Sequence, residues 1–249
     1  MWHPRSRLGL HESLNTEFIP DDDILVHPTL KSIEVRFDIL RPWITELFHQ
    51  LIAPRLESID ISPRPTSGQI QQVELAHSTV DITDHLVGQR FEGWPEDAFL
   101  RFLSRTGTGP NPHSLRSLTL AGIVLSDTYT MKVFDLVPGL TQLTLYEVMG
   151  PTSATEPPIW SFQLLQKMNV HLLPKLVCLD LALESSLHNF LVVQLGIAMV
   201  RVRVRARCLK RFTIRCREEL LDQIPMSRLQ ALTLEGLVVE VNGIGLQHL

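Results

Sequence analysis

The chain has 249 residues, 44% of them hydrophobic and 20% charged, enough for a sizeable core in one or two domains. A formal net charge of −4 provides no bulk positive field, which argues against nucleic acid as a partner. Three cysteines, Cys178, Cys208 and Cys216, form no CxxC pair and no NxS/T sequon occurs, a pattern suited to a reducing cytoplasmic or nuclear setting rather than a secreted one.

The chain starts Met1-Trp2-His3-Pro4-Arg5 and continues polar, without the apolar stretch of a secretory signal, so residues 1–24 read as an N-terminal extension with a solvated Asp21-Asp22-Asp23 loop. From 25 to 249 one pattern recurs, Leu-x-x-Leu-x-Leu. It begins at Leu30-x-x-Ile33-x-Val35 and Leu56-x-x-Ile59-x-Ile61, with a helix expected between them over Arg41 to Ile52. Ile70-x-x-Val73-x-Leu75 follows after only 14 residues, room for a plain loop through Pro63, Pro65 and Gly68; a degenerate unit near Val80 to Val87 would fill the long interval after it. Pro95-Glu96-Asp97 opens a helical stretch with Trp94, Ala98, Phe99, Phe102 and Leu103 on one face. Leu115-x-x-Leu118-x-Leu120 precedes a helix capped by Ser126 and running through Phe134, and Leu140-x-x-Leu143-x-Leu145 precedes one over Ile159 to Leu173. Leu176-x-x-Leu179-x-Leu181 leads to a helix from Ser186 to about Arg203; its apolar run, Phe190 to Val200, is about half the ~20 residues of a bilayer span and reads as buried, so no membrane is implied. Leu209-x-x-Phe212-x-Ile214, a helix over Arg217 to Gln223, and Leu229-x-x-Leu232-x-Leu234 complete eight matches.

Each match ends in the period-2 alternation of a strand, and Pro28, Pro54, Pro138 and Pro174 stand two residues before the first leucine, where proline stops a preceding helix. Strand then helix repeated in this way implies an α/β solenoid: parallel strands side by side, helices or loops returning outside, alternate leucines in a shared core. A doubly wound α/β domain is the other fold with this alternation, but it calls for Gly-rich βα turns, and the chain has none.

The segments Pro112-His113-Ser114-Leu115-Arg116-Ser117-Leu118-Thr119-Leu120, Leu173-Pro174-Lys175-Leu176-Val177-Cys178-Leu179-Asp180-Leu181, and Leu209-Lys210-Arg211-Phe212-Thr213-Ile214 with Arg228-Leu229-Gln230-Ala231-Leu232-Thr233-Leu234 resemble the leucine-rich repeats of F-box proteins, especially the divergent set of mushroom-forming fungi. The resemblance implies an irregular leucine-rich-repeat solenoid with a curved parallel sheet and outer helices, and a role in selecting a target protein for a ubiquitin ligase whose chemistry lies in other subunits. A Skp-type adaptor and a cullin would be the implied partners wherever an F-box lies upstream. Two departures accompany it: the ninth position of the units holds no asparagine, so an asparagine ladder is not expected, and no Leu-Pro helical module is recognisable between Met1 and Leu25. A repeat scaffold unrelated to ubiquitin and a hydrolase-like α/β enzyme are the alternatives.

In such a solenoid the residues alternating with the buried leucines point to the concave face, the surface that takes the partner. These are Glu34, Asp60, Glu74, Thr119, Thr144, Asp180, Thr213 and Thr233, flanked by Arg36, Gln142, Tyr146, Arg211, Arg215 and Glu235, acidic early and basic late. Threonine also suits any exposed strand position without a partner. Arg201, Arg203, Arg205, Arg207, Lys210, Arg211, Arg215 and Arg217 concentrate eight of the 23 basic residues; a solvated helix end explains them better than an anion site. No nucleophile elbow, P-loop lysine or HExxH occurs, Gly107-Thr108-Gly109-Pro110 has no lysine after it, and Asp81, Asp84 and His85 are a lone triplet, so no catalytic residue, metal or cofactor is expected.

Overall fold

The proline that stands two residues before the first leucine in four of the eight matches does more than end a helix. In the computed structural model, which describes residues 7–10, 24–37, 42–63, 94–106, 114–123, 126–146, 172–183, 189–217, 221–222 and 224–244, the four prolines occupy four equivalent β-turns. The N–H of Leu30, Leu56, Leu140 and Leu176 closes each turn on the carbonyl of His27, Ala53, Val137 and Leu173, at 3.3, 3.1, 3.0 and 3.1 Å. Proline at the second turn position presets φ there, so the chain is already bent when it enters the strand.

The strands that follow are β1 (Arg7–Leu10), β3 (Ser32–Phe37), β5 (Ser58–Pro63), β6 (Ser117–Ala121), β7 (Gln142–Tyr146), β8 (Cys178–Leu183), β9 (Arg211–Arg217) and β10 (Val238–Ile244). They form one open, eight-stranded sheet in the order β1-β3-β5-β6-β7-β8-β9-β10, every pair parallel. A two-stranded parallel pair, β2 (Leu25–Val26) with β4 (Leu51–Ile52), lies beside its start. Among these strands each new one adds to the edge left by the last; a doubly wound sheet instead has a point where the order reverses. The described helices are α1 (Pro42–Gln50), α2 (Glu96–Thr106), α3 (Asp127–Leu136), α4 (Asn189–Arg205) and α5 (Met226–Leu234). The Ser126 hydroxyl caps α3 by accepting the Tyr129 N–H at 3.2 Å.

Register aligns two apolar rows across the sheet. One runs Leu8, Ile33, Ile59, Leu118, Leu143, Leu179, Phe212 and Val239; the other Leu10, Val35, Ile61, Leu120, Leu145, Leu181, Ile214 and Val241. From Ile33 to Ile214 these side chains are buried, in one core with Ile44 and Phe48 of α1, Phe99 and Phe102 of α2, Val133 and Phe134 of α3, Val200 of α4, and Leu229 and Leu232 of α5. The helices thus cover the leucine face. An aromatic cluster anchors the first three: Phe48 lies 5.7, 5.0 and 5.4 Å from the rings of Trp94, Phe99 and Phe102. Trp94 Nε1 donates to the Tyr129 hydroxyl (3.2 Å), which donates to the Glu96 carbonyl (3.1 Å), and burial raises the Tyr129 phenol well above its ordinary pKa.

Main-chain and arginine contacts link successive strand entries. The carbonyl of Lys31 accepts N–H groups from Glu57 and Ser58, Glu57 from Arg116 and Ser117, Arg116 from Thr141 and Gln142, Thr141 from Val177 and Cys178, and Val177 from Lys210 and Arg211. Arg105 reaches back from α2 to the Phe48 and His49 carbonyls at the end of α1, and Arg116 Nη1 donates to the Gly139 carbonyl at 3.0 Å.

Four expectations change. Leu229, Leu232 and Leu234 belong to helix α5, where Leu229 and Leu232 face the core at i, i+3 and Leu234 is 90% exposed; the last strand is β10, after a Gly236 with φ +95°. Residues 7–10, inside the stretch read as an extension, add a strand to the sheet. The Arg217 to Gln223 stretch read as a helix starts inside β9, which runs to Arg217. β5 pairs directly with β6, so the sheet has no strand between them; the match at Ile70, Val73 and Leu75, with Glu74 and Val80 to Val87, lies outside the described residues, as does most of Ile159 to Leu173. Among the described residues no helix is long and apolar enough to cross a membrane.

Candidate partner-binding face of the sheet

Because strand side chains alternate, whatever is not in the leucine rows stands on the opposite face, and no described helix packs there. Its central row is Glu34, Asp60, Thr119, Thr144, Asp180, Thr213 and Glu240, each the registered neighbour of the next. The structure therefore brings together six of the eight expected central residues, although Thr213, expected to be exposed, is buried there. Glu74 lies outside the described residues. Thr233 does not belong: it sits on α5 with its hydroxyl donating to the Leu229 carbonyl at 3.3 Å, because Leu229-x-x-Leu232 is a helical rather than a strand pair. Glu235 likewise stands at the end of α5, paired with Arg201 (3.3 Å) and Arg205 (3.8 Å). Glu240 takes the last place in the row; the alternation Val239-Glu240-Val241-Asn242 was the signal for it.

The charges on this face are tied to one another. Glu34 and Asp60 are direct cross-strand partners, and Arg36 sits against both, Nε to Glu34 Oε1 at 2.9 Å and Nη2 to Asp60 Oδ2 at 3.2 Å. The Ser62 hydroxyl accepts from Arg36 Nη1 and donates to Asp60 Oδ1 at 2.9 Å. At the other end Tyr146, Asp180 and Arg215 form a second group. The Tyr146 hydroxyl donates to Asp180 Oδ2 at 3.4 Å, Arg215 Nη2 reaches the same oxygen at 3.2 Å, and Arg215 Cζ lies 5.6 Å from the Tyr146 ring centroid. Alanines make this possible: Tyr146 is flanked in register by Ala121 and Ala182, so nothing larger occupies the sheet on either side of its ring. Beyond it Glu240 accepts from the Thr213 hydroxyl at 3.4 Å and pairs with Arg211 at 3.9 Å.

An acidic-to-basic gradient is thus reduced to three locally paired groups, with the uncharged Thr119, Thr144 and Gln142 between the first and second. The arginine run is dispersed in the same way. Arg201 and Arg205 face Glu235, Arg211 faces Glu240, Arg215 faces Asp180, and Arg207 takes φ 56° at the end of α4. Arg203 is fully buried, Nη1 donating to the Leu173 carbonyl at 2.9 Å, and desolvation lowers its pKa from the ordinary arginine value. The run marks helix-to-strand packing rather than one anionic-ligand patch.

Cys178 stands on the polar face beside Gln142 and Arg211 in register, while Cys216 is buried and burial pushes its thiol up to about 11, which disfavours the nucleophilic thiolate. Among the described residues no three His, Cys, Asp or Glu side chains converge as a metal set. Asp81, Asp84, His85 and Gly107 to Pro110 lie outside the described residues. No family model, no curated protein and no solved structure matches the chain.

Proposed function

We propose that the chain is a leucine-rich-repeat-like coil that binds another protein through the polar face of its sheet, in the manner of the substrate-recognition repeats it resembles in F-box proteins. One observation carries the reading: successive units each contribute one equivalent residue to a single row, Glu34 to Glu240, on a face no described helix covers. A row built that way varies residue by residue without disturbing the leucines behind it, which is what a recognition surface requires. Its salt links hold Arg36, Tyr146 and Arg215 in fixed orientations, so little side-chain freedom is lost when a partner docks. Arg215, seated against the buried Tyr146 ring, is of a residue type in which binding energy concentrates, and the half-buried Thr119 and Thr144 between the ion-paired groups supply uncharged hydrogen-bonding contacts.

The test is capture of partners by the tagged chain in its native cells, quantified against two single-site variants. Thr144→Arg places a bulky charge in the centre of the row, and Glu46→Ala changes an exposed position on α1. The reading expects one set of partners to be lost at least tenfold with Thr144→Arg and kept with Glu46→Ala; equal retention by both overturns it. A Skp-type adaptor and a cullin among the captured proteins support the ubiquitin-ligase part. Their absence from complexes of a chain carrying any upstream coding sequence removes that part alone and leaves a ubiquitin-unrelated scaffold.

A further inference from the structure

The sheet has two edges, and among the described residues nothing covers the C-terminal one. β10 is seven residues long, VVEVNGI, and no strand lies outside it among the described residues. Exposed strand edges are ordinarily blunted by proline, lysine, a bulge or shortness. β10 has none of these, and its one charge, Glu240, is drawn back onto β9 by Thr213 and Arg211. Exposed apolar side chains gather at the same end. Apart from Ile24, Leu25 and Val26, the large apolar residues left exposed among the described residues are Val202 on α4, Met226 and Leu234 on α5 and Val238 on β10, from 46% to 90% exposed.

We propose that β10 is a self-association seam, joining two copies of this chain edge to edge about a two-fold axis through Val241. The backbone decides the geometry. The Val238 N–H donates to the Lys210 carbonyl of the preceding unit at 2.9 Å. Strand alternation then directs the N–H and C=O of Val239, Val241 and Gly243 away from β9. In an antiparallel pairing centred on Val241, those three are the residues that exchange hydrogen bonds: Val239 with Gly243 of the partner subunit, Val241 with the partner's Val241, and Gly243 with the partner's Val239, about six bonds in all. The positions between them are complementary too. Glu240 faces Asn242 of the partner subunit, a carboxylate opposite an amide donor, and this happens twice. Centring the seam on Glu240 instead would bring two carboxylates face to face. An isologous contact of this kind closes on itself and yields a dimer rather than a fibre, which accounts for an edge with no blunting residue.

Sedimentation velocity of the purified full chain between about 1 and 100 µM tests this without any partner protein, so its outcome is separate from that of the capture experiment. The expected result is a monomer–dimer equilibrium. Asn242→Lys, opposite Glu240, tightens it by roughly five- to thirtyfold, Asn242→Glu weakens it by at least as much, and Val241→Pro, which removes an outward N–H without touching the β9 pairing, yields monomer. Opposite signs from one position are not produced by general destabilisation. If Val241→Pro fails to fold, judged by its circular dichroism melt, Val241→Cys replaces it: hydrogen-bonded partners lie about 5.5 Å apart, within disulfide reach, and mild oxidation should cross-link two copies at that residue. A chain that stays monomeric throughout, or a dimer indifferent to both Asn242 substitutions, overturns the proposal.

Discussion

Glu34 and Asp60 face each other across β3 and β5, an arrangement that would repel if Arg36 were not held between them. Removing the guanidinium leaves like charges directly opposed on a partly desolvated surface. Arg36→Ala should therefore lower stability by about 1–2 kcal/mol, and Asp60→Asn in the same chain should recover most of it. A double-mutant cycle in urea checks this, and simple additivity of the two changes would disprove the coupling. A second single-residue effect lies where α4 and α5 end. Both helices close with the same pair of bonds: Cys208 N–H to the Arg203 carbonyl with Arg207 N–H to Val204, and Leu237 N–H to Leu232 with Gly236 N–H to Thr233. Both put one residue in the left-handed region, but only the second uses glycine there. Arg207→Gly should stabilise by about 0.5–1 kcal/mol and raise Tm by about 2 °C, whereas Gly236→Ala, with open space around it, should destabilise through φ alone.

At the scale of elements, the helix layer is joined most firmly where Phe48, Trp94, Phe99 and Phe102 meet. Phe99 is fully buried, so Phe99→Ala should cost about 3–5 kcal/mol and loosen α1 from α2, seen as loss of the near-ultraviolet signal of Trp94. The strands β3, β5, β6, β7, β8 and β9 were legible in the sequence, because each buries two residues at period 2, and β3, β5, β7 and β8 do so behind a proline turn. So were α2 and the Ser126 cap of α3. The pattern failed at Leu229-x-x-Leu232, where a three-residue spacing satisfies a helix as well as a strand entry, and only burial against the neighbouring unit decides between them. β1 escaped notice because four residues, Arg7–Leu10, carry too little alternation to stand out. On the candidate face, position in the row was readable and pairing was not. That Arg215 meets Asp180, 35 residues away, or that Arg203 is a core residue inside a basic run, depends on which strands become neighbours.

For the whole molecule, a sheet built by successive addition has a stability that varies along its length. Strands in the middle have a neighbour on each side and end strands have one. Amide hydrogen exchange should be slowest in β6 and β7 and fastest in β1, with β10 shifting from fast to slow as the concentration of the chain rises through the dimer equilibrium. Uniform protection from β1 to β10 at low concentration would show instead that the sheet opens only as a unit.

The shared carbonyls at the strand entries have one more consequence. They fix where each strand starts relative to the last, using only the turn and the first two residues of the strand. What happens between a strand's exit and the next turn does not enter into it. Leu56 to Leu115 is more than twice as long as Leu115 to Leu140, yet β5 meets β6 in the same alignment with which β6 meets β7. The fold behaves like a bound book, whose pages are held at the spine and can differ in width. Sequence can be lengthened or grafted between a strand's exit and the next turn while the row from Glu34 to Glu240 stays in step, and an engineer can place a foreign domain there for the same reason.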